Sequence, residues 1–161
     1  DFLSNTIIGK RKHTISEFFY RTQHIQQLGG YQIYPAGYYA DDASILLFCN
    51  NNGIASTEES LIVYRKSENN ISSSSCWNVE KSKAALKYYQ WIIDEFPMKQ
   101  QDEQIIQQRL DFDLYTYFSA ALNIHQSIQI LNCIPVNIWN WKKKLLCLYK
   151  FILNSYAKQI K

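Results

Sequence analysis

From Ile105 to Leu122, the residues Ile105, Ile106, Leu110, Leu114, Tyr117, Phe118, Ala121 and Leu122 recur mostly at steps of three and four. That is the period of a helix with one buried face. The alternation of a half-buried strand is nearly absent along the whole chain. The pattern therefore dictates an all-α fold, a helical bundle.

The other elements are read the same way. A segment from Glu17 to Leu28, capped by Thr14 or Ser16, carries Phe18, Phe19, Thr22, Ile25 and Leu28, and Gly29-Gly30 ends it. Tyr31 to Tyr39 is a loop stiffened by Pro35 and opened by Gly37. A helix is expected from Asp41 to about Asn51, with Ile45, Leu46, Leu47 and Phe48 facing inward. Thr57-Glu58-Glu59 opens a short further turn, and residues 67–77 form an exposed Ser/Asn-rich loop. Asn78 or Ser82 caps an amphipathic helix. Its inner face is Ala85, Tyr88, Tyr89, Ile92 and Phe96, its outer face Lys81, Lys83, Lys87, Asp94 and Glu95, and Pro97 stops it. A long or broken helix covers Gln101 to about Asn132. After Pro135, Asn137 caps a last helix on which Trp141, Leu145, Leu148 and Ile152 recur.

Length and composition allow a packed core: 161 residues, 47% hydrophobic and 19% charged, make one helical domain or the N-terminal piece of a larger one. The net charge of +3 is too small to argue for nucleic acid. Lys10-Arg11-Lys12 and Lys142-Lys143-Lys144 read as solvated faces, and Trp139 and Trp141 as core with lysines snorkelling past them. No apolar run reaches the roughly 18 residues that span a bilayer, so neither nucleic acid nor membrane is expected as a partner. Cys49, Cys76, Cys133 and Cys147 are scattered, with no spacing for zinc, and fit free thiols in an intracellular, cytoplasmic setting. There is no signal pattern and no initiator Met, so the chain is expected to be an excised piece.

Chemistry concentrates at Asp41-Asp42. Two adjacent carboxylates stand behind a Pro/Gly turn and ahead of an apolar run, in the first turn of the expected helix. The helix N-terminus favours negative charge there, and a hard cation such as Mg²⁺ would relieve the repulsion between the two acids. The plainer alternative is an ordinary cap followed by a first-turn acid. Asp111-Phe112-Asp113 is a second acidic pair. Two residues apart on a helix, its members point away from each other and read as surface charges. His13, His24 and His125 are isolated, and there is no nucleophile elbow and no phosphate loop.

The run Pro35-Ala36-Gly37-Tyr38-Tyr39-Ala40-Asp41-Asp42-Ala43 resembles the ADP-ribosylglycohydrolase family, which carries Pro-Gly-x-[Tyr/Trp]-Thr-Asp-Asp-Thr before a Leu- and Ala-rich helix. Leu28-Gly29-Gly30-Tyr31 is similar to the loop leading into that element. Asp1-Phe2-Leu3-Ser4 resembles the family's Gly-Asp-Ala-Leu-Gly, and Tyr88, Tyr89 and Trp91 its Tyr-x-x-Trp pattern. The likeness covers roughly residues 1–55 and 80–97.

The resemblance implies an all-helical fold, two Mg²⁺ ions and hydrolysis of an ADP-ribosyl glycosidic linkage, with the metals orienting the ribose and activating water. It implies Asp41 and Asp42 as catalytic residues and metal ligands, Asp1 as a supporting ligand, and Tyr38 and Tyr39 as the loop beside the cofactor. The partner would be ADP-ribose or an ADP-ribosylated protein. The chain departs from the pattern in several places. Ala40 and Ala43 replace threonines, Ser4 replaces Gly, Ile8 stands where the early Glu falls, and the late Asp-x-Asp-Thr is not found. An incomplete or inactive hydrolase is one expectation. A non-catalytic helical module that binds ADP-ribose or a protein partner is the other.

Overall fold

The computed structural model describes residues 5–6, 17–49, 53–55 and 73–159. Asp1, Ser4, Ile8, Lys10-Arg11-Lys12, His13, the expected Thr14 and Ser16 caps, the Thr57–Glu59 turn and residues 67–72 of the Ser/Asn loop lie outside them. Among the described residues the fold is all-α, with no strand. The helices are α1 (Thr22–Gln27), α2 (Ala40–Cys49), α3 (Asn78–Glu95), α4 (Gln100–Ser119), α5 (Ile124–Cys133) and α6 (Trp141–Gln159).

The centre of the bundle is α3. It packs on α4, on α5, and on two single-turn helices, Pro35–Gly37 and Ser75–Trp77. Its buried positions Asn78, Lys81, Ser82, Ala85, Tyr88, Tyr89 and Ile92 fall at steps of three and four, with Ala84 beside them. The expected inner face is there. Lys81, expected on the outer face, is instead 3% exposed. Its ammonium donates to the Ser74 carbonyl at 2.9 Å and lies 5.3 Å from the Tyr38 ring centre. Burial pulls its pKa below the ordinary lysine value.

Three polar side chains tie the helix ends. Asn78 does not cap its own helix: its amide donates to the carbonyls of Tyr117 and Ala120, 3.0 and 3.1 Å away, at the C-terminus of α4. Those carbonyls have no partner within their own helix. Asn123 caps α5 by accepting from the Gln126 N–H at 2.9 Å. Asn140 accepts from the Lys143 N–H at 2.9 Å at the head of α6, in place of the expected Asn137.

One boundary differs from the sequence reading, and one open alternative is decided. The first helix begins only at Thr22, because Phe18–Arg21 is outside any helix, Arg21 is extended, and Tyr20 packs edge-on against Phe48, 5.0 Å between ring centres. It stops where expected. Gly29 takes φ +82° and donates to Gln26, and Gly30 donates to Ile25, a double closure that a Cβ-bearing residue would strain. The long second-half helix breaks at Ala120–Asn123. The return past that break lets α5 lie against both α3 and α4.

Candidate functional site

The loop before α2 is bent by two residues other than glycine in the left-handed region, Ala36 (φ 54°) and Tyr39 (φ 66°). An aromatic residue in that region costs on the order of 1–3 kcal/mol and persists only where its surroundings hold it. The Tyr39 ring stacks on Tyr88, centres 4.7 Å apart and 14° between planes. Its hydroxyl donates to Asp113 Oδ2 at 2.9 Å and lies 3.0 Å from the Tyr117 hydroxyl.

Asp113 is the hub of this cluster. It is buried, at 7% exposure. Its Oδ2 also accepts from Tyr89 at 2.7 Å, and Arg109 Nε stands 3.4 Å from its Oδ1, one helical turn earlier on α4. The carboxylate thus joins the loop, α3 and α4. Burial pushes the phenols of Tyr39, Tyr89 and Tyr117 far above their ordinary value, and the nearby negative charge of Asp113 adds to it. The tyrosines here are neutral donors, not bases. The expectation of Asp111 and Asp113 as surface charges is corrected for Asp113, which is buried; Asp111, its side chain 45% exposed, stays at the surface and accepts from the Trp139 indole N–H and the Lys143 ammonium. They do diverge as their spacing requires, but α4 is covered on both sides, so each finds partners.

Asp41 and Asp42 lie together in the first turn of α2, both half-buried. Their charges reach Tyr88 and Tyr38, and that of Asp41 reaches Tyr20. In each phenol they add to the upward push of burial. Tyr38, expected beside a cofactor, is half-buried, edge-on to Tyr39 and Tyr117, with the Lys81 ammonium over its ring. Tyr39 commits its hydroxyl to Asp113 and Tyr117. Asp1 lies outside the described residues. Among the described residues no group of three or more His, Cys, Asp and Glu gathers where it could hold a metal ion. Two carboxylates alone leave most of a Mg²⁺ octahedron to water, so these residues do not make up a two-ion site.

The second notable surface is on α6. The side chains turned to the bundle are Lys144, Cys147, Leu148, Phe151 and Ser155. Lys144 is buried with its ammonium on the Ile134 carbonyl. The expected inward stripe is therefore largely reversed: Trp141 is 65% exposed, Leu145 63% and Ile152 38%, and only Leu148 of the four turns in. Leu146, Tyr149 and Leu153 are exposed as well. At about 100° per residue these six span a sector of about 140°, with Lys142 inside it and Lys150 about 40° beyond one edge. Trp139, by contrast, is fully buried as expected. Beyond Asp113 the sequence holds Lys142, Lys143, Lys144, Lys150, Lys158 and Lys161 and no Asp or Glu, so the basic charge gathers on this end of the chain. A helix apolar around most of its circumference was the sequence signal for a second face.

Comparison with known proteins adds no relative: no family model, no curated protein and no solved structure matches this chain.

Proposed function

We propose that this chain is a non-catalytic helical module that works by attachment. The outer face of α6 seats on a partner surface that is apolar at the centre of the contact and negatively charged around it. The exposed row Trp141, Leu145, Leu146, Tyr149, Ile152 and Leu153 carries this reading. Scattered apolar residues are normal on a surface, but a contiguous row on one helix face marks a contact. The tyrosine–Asp113 cluster supports it from the other side, because its hydroxyls are already paired and serve the fold. A photoreactive benzoylphenylalanine at Tyr149 tests it in the protein's own cells, with Phe112, exposed on α4, as the control position. Adducts are expected from position 149 in clear excess over position 112. Equal or absent labelling at the two positions would overturn the reading.

The joint placement of Asp41 and Asp42 in the first turn of α2 favours a second reading, Mg²⁺-assisted hydrolysis of an ADP-ribosyl linkage. It would need further ligands from outside the described residues. Calorimetric titration with Mg²⁺ and ADP-ribose, with Asp42→Asn as control, tests it: metal-dependent binding lost in the variant supports it, and no heat from either titrant counts against it.

A further inference from the structure

Resting on the attachment reading, we infer that the surface met by α6 is a lipid bilayer carrying anionic headgroups, on which the helix lies flat. Three observations on the same face select this occupant. The first is where the cations stand. Lys142 stands within the apolar sector, in the first turn of α6, and Lys150 flanks it about 40° beyond one edge, both exposed. The buried core of a protein–protein contact is depleted of lysine, because an ammonium there loses its water. On a bilayer the same side chain extends past the apolar row to the phosphates while its stem stays among the acyl chains. The second is the aromatic pair. Among the described residues Trp141 and Tyr149 are the most exposed rings of α6, and such amphipathic rings are enriched where a membrane meets water, here beside the apolar Leu145, Leu146, Ile152 and Leu153. The third is charge. No acid follows Asp113 in the sequence, and Asp111, which stands beside α6, is paired with Lys143. A second copy of the chain meeting this one through the same face would bring two faces of the same positive sign together.

The helix is suited to lie on a membrane and not to cross one. No described helix is long and apolar enough to span. The inner face of α6 is moreover committed to the bundle through Cys147 and Lys144. Binding then combines apolar insertion with attraction to the headgroups, and each lysine near such a surface strengthens it about fivefold.

The test is sedimentation of the whole chain with vesicles of phosphatidylcholine mixed with phosphatidylserine, and of phosphatidylcholine alone. Binding is expected to the mixed vesicles, much weaker to phosphatidylcholine alone, and reduced by added salt. Lys142→Gln with Lys150→Gln is expected to weaken it about 25-fold. Leu145→Asp with Tyr149→Asp is expected to abolish it while circular dichroism and the unfolding midpoint stay unchanged, since both side chains are already in water. Failure of the native chain to sediment with the mixed vesicles, or undiminished binding of the Asp variant, overturns the bilayer as occupant. So does a dimer that the Asp variant abolishes. If protein adducts at position 149 accompany absent vesicle binding, attachment stands and the lipid falls. If neither adducts nor binding occur, both fall.

Discussion

Asp113 shows how much one side chain can hold. Its carboxylate takes hydroxyls from the loop and from α3, and it keeps Arg109 beside it. Replacing it with alanine leaves the Tyr89 hydroxyl buried without its acceptor, and an orphaned buried polar group costs about 1–3 kcal/mol. The strained Tyr39 loses one of its two anchors in the same step. Asp113→Ala is expected to cost about 3 kcal/mol in urea unfolding. Tyr89→Phe added to it should cost far less than Tyr89→Phe alone, since the two residues share one bond. Equal costs in both backgrounds would mean that the hub is not a unit. Little of this was legible beforehand. The spacing of Asp111 and Asp113 says correctly that they diverge, but it does not say that both sides of α4 are covered. Arg109, four residues before Asp113, was the available sign of a paired acid. Asp41-Asp42, by contrast, was legible in place, because first-turn acids are a local matter between a side chain and its own helix.

At the level of elements, periodicity located the helices and failed at their faces. The inner row of α3 was readable because one face is apolar and the other charged, except at Lys81, whose stem buries and whose head finds a carbonyl. On α6 both faces carry apolar side chains, and a period alone does not say which one a neighbour covers. Packing decides: Cys147 and Leu148 meet the bundle and Trp141 does not. Helix ends were read from local caps, yet Asn78 acts between elements. Its amide holds two terminal carbonyls of α4 from the first turn of α3. Asn78→Ala is therefore expected to cost about 2 kcal/mol, above an ordinary cap loss, and to fray α4 at its end. Amide hydrogen exchange should speed up around residues 117–120 and leave the middle of α3 protected. A loss confined to the first turn of α3 would contradict the role.

The whole molecule is held at its centre by neutral phenols from three separate parts of the chain. Tyr34, Tyr38 and Tyr39 come from the loop, Tyr88 and Tyr89 from α3, and Tyr117 from α4. Burial raises every one of them, Tyr34 to about 12. In the unfolded chain each titrates near its ordinary value of about 10. Between that value and the raised one the folded state holds more protons than the unfolded state, so stability falls as pH rises. Below about pH 10 both states are protonated and the phenols make stability no function of pH. Because several groups carry the same sign, the loss above pH 10 compounds. Ionising any one of them would place a charge beside Asp113, Asp42 or another phenol, so the fold opens before they titrate singly. Alkaline titration should therefore show most tyrosinate absorbance appearing together with the loss of helical circular dichroism, in one steep step above pH 10. A broad phenol titration around pH 10 with helicity intact would mean that the ring cluster is open to water and does not hold the bundle together.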